Sequence, residues 1–135
     1  MPLTHFVARQ GVEDPRVRSA RQGTVLTKAV LRAADKLAVT QTALALILGV
    51  SEATVSRMRK GGYALQADTK PFELGVLFVR LFRSLDAIVG GDETVARAWL
   101  ANPNLALGAK PAEKICTVAG LTDVIAYLDA RKALV

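Results

Sequence analysis

The sequence is poor in the residues that carry most enzyme chemistry. Its 135 residues include one cysteine, one histidine and one tryptophan. A lone thiol, Cys116, cannot close an internal disulfide, so the chain is not a cross-linked secreted scaffold, and a reducing cytoplasm is its simplest setting. Neither Cys116 nor His5, the latter in the N-terminal stretch, has a partner at the spacing of a nucleophile–base pair, and metal ligands are absent by count. Cys116, flanked by apolar residues, reads as a small buried hydrophobe. No glycine-rich phosphate loop follows a strand signal. The expectation is therefore a protein with no catalytic residue, no metal and no cofactor: not an enzyme. No apolar run reaches the roughly 18 residues of a membrane span, and "MPLTHFVARQ" lacks the apolar centre of a secretory signal. Aromatics are only 5% of the chain, whereas Leu, Ala and Val abound, a composition that favours helices.

Half of the residues are hydrophobic, 51%, which is enough for a packed core. The net charge of +6 is not spread evenly. Residues 1–62 hold 10 Lys and Arg against 4 Asp and Glu, whereas residues 63–135 hold 8 of each. The front half is suited to a polyanion, and the back half has no such bias.

Hydrophobic periodicity and capping residues predict an all-α fold. Residues 1–20, with Gly11, Pro15 and alternating charges, read as an N-terminal arm. "TVLTKAVLRAADKL" (24–37) places Val25, Val30, Leu31, Ala34 and Leu37 at helical spacing. "TQTALALIL" (40–48) and "SEATVSRMRK" (51–60) read as two short helices with Thr40 and Ser51 as N-caps. "YALQADT" (63–69) reads as a linker, and Asp68 or Thr69 can cap the longest helix, within 71–90. That helix is apolar around roughly 200° of its circumference, about twice what a surface helix needs. It must be covered on two sides, by both halves of the monomer or by a second subunit. Asp92 can cap a helix over 93–101 with Val95, Ala98 and Trp99 on one side. A loop follows (102–111), in which Leu105 and Leu107 are expected to plug into the core. Short and final helices are expected over 111–117 and 121–135. The resulting division is an arm (1–20), a helix-turn-helix unit (21–70), a long linking helix (71–90) and a small C-terminal domain (91–135).

The stretch "ILGVSEATVSRMRKG" (47–61) decides the second unit. A helix-turn-helix needs a small residue where its helices cross, and Ala45 supplies one. Its turn needs a residue tolerant of positive φ, Gly49, and an apolar corner plug, Val50. Its second helix needs an N-cap, Ser51, and a buried β-branched residue one turn on, Val55. Such a helix presents its N-terminal residues to base edges in the major groove. With Val55 inward, the outer face carries Glu52, Ala53, Ser56, Arg57 and Lys60. Arg57 is suited to a bidentate guanine contact. Thr54, Ser56, Gln41 and Ser51 are in reach of bases or phosphates, and Arg59, Lys60 and Arg32 of the phosphate backbone.

The pattern "Q-x-x-L-A-x-x-L-G-V-S-x-x-T-V-S", Gln41 to Ser56, closely resembles that of the Xre repressor family. The back half resembles the toxin-binding domain of the antitoxins called MbcA, ParS and Xre. The matching block is "A-x-x-W-L-x-x-P-N-x-A-L-G-x-x-P", Ala96 to Pro111, followed by a short helix and "G-L-x-x-V". The resemblance implies the antitoxin of a two-gene toxin–antitoxin pair. Its toxin would be ADP-ribosyltransferase-like and of the NAD-depleting RES type, blocked by an antitoxin that covers the active site, often with its C-terminal segment. Here that segment is "LDARKALV", with Leu134 and Val135 placed to enter a cleft and Arg131 or Lys132 to meet acidic groups. The expected partners are the toxin, operator DNA and a second copy of the chain. Two rivals stay open: a stand-alone transcriptional regulator whose back half only dimerises, and a pure inhibitor whose helix-turn-helix is a scaffold relic.

Overall fold

Of the seven helices among the described residues, six begin at a residue whose side chain accepts a hydrogen bond from the backbone of the first turn, which satisfies one of the donors every helix start leaves open. The structure, a computed structural model, describes residues 12–134. Asp14 opens α1 (Pro15–Leu37), Thr40 opens α2 (Gln41–Leu48) and Ser51 opens α3 (Glu52–Arg59). Thr69, rather than Asp68, opens α4 (Lys70–Ile88), and Asp92 opens α5 (Glu93–Ala101). The single turn α6 (Pro111–Lys114) starts at a proline without a side-chain cap, and Thr117 opens α7 (Val118–Lys132). No strand occurs among the described residues, only an isolated bridge between Asn104 and Ala109. The fold is all-α, as the sequence pattern implied.

Several boundaries differ from the sequence expectation: the short helix α6 ends at Lys114, α7 ends at Lys132, and two helices start earlier than expected. The first helix starts at Pro15, so residues 15–20 are helix and not arm; Asp14 caps it and the fixed φ of proline suits its first position. The rest of the expected arm, including His5, lies outside the described residues. The last helix starts at Val118, with Gly120 inside it and buried, because Thr117 accepts from the Gly120 amide at 3.1 Å.

Helix α4 is the axis of the molecule. The helices α1 and α2 pack on it from the front half and α7 from the back half. The wide apolar arc of α4 is thus covered mainly within one chain, by the first of the two routes that its sequence left open. One hydrophobic cluster runs through the whole assembly, from Val30, Leu44, Leu48 and Val55 through Phe78 and Leu81 to Ile115, Leu121, Val124 and Leu128.

The segment 63–69 is more than a linker. Leu65 is buried, and its amide donates to Thr27 Oγ1 at 2.9 Å, while that hydroxyl donates to the Gly23 carbonyl at 2.7 Å. This ties the connection to α1. The Leu65 carbonyl oxygen approaches buried Gly23 so closely that a Cβ there would run into it.

Candidate nucleic-acid and partner interfaces

The corner between α2 and α3 forms as the residue pattern requires. Ala45 and Val55 are buried where the helices cross, Met58 is buried one turn further, and Val50 is half-buried at the corner. Gly49 ends α2 at φ 70°, a left-handed conformation that costs a residue with a Cβ about 1 kcal/mol or more. The Val50 amide bonds back to the Ala45 carbonyl at 3.0 Å and closes the turn.

The outer surface of α3 is held in place before any ligand arrives. Ser51 Oγ accepts from the Thr54 amide at 3.0 Å and lies 2.9 Å from Thr54 Oγ1, which in turn accepts from Arg57 Nη2 at 3.0 Å. The guanidinium of Arg57 therefore leans toward the N-terminal end of α3, the end that a helix-turn-helix presents to bases. Glu52 is fixed from α2: Thr42 Oγ1 donates to its carboxylate at 2.7 Å, and Gln41 Nε2 donates to its carbonyl at 3.1 Å. Gln41, Ser51, Glu52, Ala53, Arg57, Arg59 and Lys60 are exposed, and Thr54 and Ser56 are half-buried. The residues expected to face DNA are thus all exposed or half-buried.

Arg59 departs from its expected position as a phosphate contact. Its Nη1 lies 2.9 Å from Asp35 Oδ1 near the end of α1, so its charge is already engaged within the protein. Asp35 also accepts through its backbone. Arg97 of α5 donates to the Lys36 carbonyl at 2.9 Å and to the Asp35 carbonyl at 3.2 Å. A cation at a helix C-terminus meets its open carbonyls and the negative end of its dipole. The sequence reading missed both Asp35 and Arg97, and no local pattern marks either, since their partners are distant in sequence.

In the back half, α5 turns its Ala96 and Leu100 inward; of Val95, Ala98 and Trp99, expected together on one side, Val95 and Ala98 are exposed and only Trp99 is half-buried. The loop after α5 is pinned. Asn102 Nδ2 donates to Ala98 O at 2.6 Å, the Leu107 amide donates to Asn104 Oδ1 at 3.2 Å, and the Asn104 and Gly108 amides bond across the loop. Gly108 takes φ 75°, as its position required. Leu107 packs against the core, but Leu105 does not: it is fully exposed at 101%. The compact turn closed between Asn104 and Ala109 carries Leu105 outward at its tip.

Trp99 is half-buried and stacks on Tyr127 of α7, with ring centroids 6.1 Å apart and planes 21° apart. The Arg131 guanidinium lies 5.9 Å from the Tyr127 ring centre, and its Nη1 reaches the phenolic oxygen at 3.4 Å. Arg131, Lys132 and Leu134 are exposed at the end of α7; Val135, expected beside them, lies outside the described residues. A separate groove of about 1030 Å³ runs between α1, α4 and α7, with Val25, Val76, Arg21, Arg80, Arg83 and Lys132 among the residues lining it. Val25, expected on the core side of its helix, is 62% exposed there.

Cys116 is half-buried, with its Sγ directed at the Ala112 carbonyl at 3.6 Å. Burial pushes its pKa above the usual thiol range, and the Glu113 carboxylate adds to the shift. A thiol kept protonated is a poor nucleophile. Among the described residues no group of His, Cys, Asp and Glu is arranged to hold a metal ion, and no helix is long and apolar enough to cross a membrane.

Comparison with protein families places both halves. Residues 84–133 match the Antitoxin Xre/MbcA/ParS C-terminal toxin-binding domain. Residues 16–80 match the Antitoxin Xre-like helix-turn-helix domain. The chain belongs to the Xre/MbcA/ParS-type antitoxins. No curated protein matches it closely enough to add a relative. The two matched regions of this antitoxin meet inside α4, whose residues up to Arg80 fall in the first and whose residues from Ser84 fall in the second. The two units therefore share one helix and one core. The antitoxin families are regulators in general and not enzymes, and the family match carries the assignment to a toxin–antitoxin system.

Proposed function

We propose that this antitoxin neutralises an NAD-consuming, RES-type toxin by covering its active site, and that it represses its own operon through α3. The toxin would be the ADP-ribosyltransferase-like product of an adjoining reading frame. On the DNA side, Arg57 reads a base edge, Ser51, Thr54, Ser56 and Gln41 contact bases or phosphates, and Lys60 holds the phosphate backbone. The protein acts on its operator as a homodimer, because two copies of α3 reach two half-sites one helical turn apart. On the toxin side, Arg131, Lys132, Leu134 and Val135 lie at or near the covered cleft. The cytoplasm is the compartment in which both ligands are found.

The observation that supports this reading most directly is the pre-held donor face of α3, Ser51–Thr54–Arg57, on a chain whose back half matches a toxin-binding domain. Co-expression with the adjoining gene tests the inhibitory half: the antitoxin should restore growth and cellular NAD. A shift assay with the upstream DNA at two salt concentrations tests the repressor half, and affinity should fall steeply with salt. Operator binding with no protection from the toxin would favour a stand-alone regulator. Protection with no operator binding would favour a pure inhibitor.

A further inference from the structure

Trp99, Tyr127 and Arg131 form a continuous ladder on the back half, indole on phenol and phenol under guanidinium. The three come from two helices, α5 and α7. None is fully buried: Trp99 and Tyr127 are half-buried and Arg131 is exposed. Each of the two aromatic residues packs one side against the core and leaves the other accessible. Trp, Tyr and Arg are also the residue types that dominate binding energy at protein interfaces. A side chain already held by its neighbours loses less freedom when a partner arrives.

The two aromatic rungs stand on packed backbone. Ala96 and Leu100, buried on either side of Trp99 along α5, hold its backbone, while Val124, Ile125 and Leu128 hold α7 around Tyr127. Tyr127 holds Arg131 twice, by its ring face and by its hydroxyl oxygen. Arg131 makes no ion pair among the described residues, so its charge is available outward. This differs from Arg80 of α4, whose guanidinium is taken by Asp129, which lies between Tyr127 and Arg131 in the sequence of α7.

We propose that this ladder is the anchor on which the toxin docks, with an apolar recess of the toxin over the indole and phenol and a toxin carboxylate against Arg131. The proposal rests on the antitoxin reading above and narrows it. It places the centre of the interface on a prebuilt surface of α5 and α7, with the residues after Arg131 at its edge. The apolar, singly cationic character of the ladder sets it apart from the α1–α4–α7 groove, where Arg21, Arg80, Arg83 and Lys132 gather.

The test uses the full-length chain and the protein encoded by the adjoining reading frame, its binding measured by calorimetry. Trp99→Ala, Tyr127→Ala and Arg131→Glu should each weaken the complex at least about tenfold, the scale of an interface hot spot. Tyr127→Phe, which keeps the ring, should lose much less. Helical circular dichroism and retained DNA binding verify that the fold is intact. If Trp99→Ala unfolds the domain, Arg131→Glu at the exposed end of α7 still decides the matter. Binding of the wild type with Arg131→Glu within twofold of it would overturn the ladder and leave the antitoxin reading standing. No binding by the wild type itself would overturn that reading, and the ladder with it.

Discussion

The Arg59 guanidinium at the end of α3 lies 2.9 Å from the Asp35 carboxylate near the end of α1. A residue whose sequence position suggests a phosphate contact is thus paired with a surface carboxylate of its own chain, while Arg57, two residues earlier, makes no ion pair among the described residues. The first prediction follows from this contrast. Arg57→Ala should weaken operator binding by about 1–3 kcal/mol and leave toxin binding unchanged. Asp35→Ala should release Arg59 to the DNA and steepen the dependence of log K on log salt by about one contact's worth. A salt slope unaltered by Asp35→Ala would mean that Arg59 already serves the DNA despite its partner.

Gly23 and Thr27 set the position of the segment between α3 and α4. On helix propensity alone, Gly23→Ala inside α1 should stabilise by up to about 1 kcal/mol. The clash of the new methyl with the Leu65 carbonyl outweighs this, because a backbone atom cannot move aside. Gly23→Ala should therefore destabilise by about 1–3 kcal/mol. Thr27→Val should cost a similar amount, since it strands the buried Leu65 amide. Urea midpoints of the two variants check both signs.

Ala38 ends α1 at φ 56° and ψ 38°, in the left-handed region, where its Cβ is unfavourable. The Val39 amide still reaches the Ala34 carbonyl at 2.8 Å, so the helix end is well bonded and only the side chain is out of place. Ala38→Gly should stabilise by about 0.5–1 kcal/mol, the left-handed penalty less the added freedom of glycine in the unfolded chain. A small rise in the thermal midpoint is the expected result, and a fall would show that the methyl contributes packing.

Cys116 should react slowly. Its folded-state pKa is raised by burial and by Glu113, so the folded state favours the protonated thiol. The corresponding stability is fully present below the unfolded thiol's pKa and is lost as pH rises through the folded value. At neutral pH, iodoacetamide should label the native protein more slowly than the urea-unfolded chain. Equal rates would show the thiol to be open to solvent.

The parts of the molecule that were legible beforehand are those decided within one helical turn. Thr40, Ser51 and Asp92 cap the helices that their positions suggested, and Gly49 takes the left-handed turn assigned to it. These are side-chain–backbone bonds and steric limits between residues a few positions apart. Leu65 and Leu105 were misread because nothing local separates them. Both are leucines in short polar connections, yet one is buried against α1 and the other stands wholly in solvent.

The sequence by itself determined the helices, their caps, the helix-turn-helix corner and the imbalance of charge between the halves, since each is a property of neighbouring residues or of composition. Only the tertiary structure decided which charges remain available and which apolar side chains face outward. Asp35 takes Arg59, Arg97 crosses to the end of α1, and Trp99 meets Tyr127 because the packing on α4 brings distant segments together. The physical reason is range: a cap answers to the next turn of its own helix, whereas an interface answers to whichever helices the shared core sets side by side.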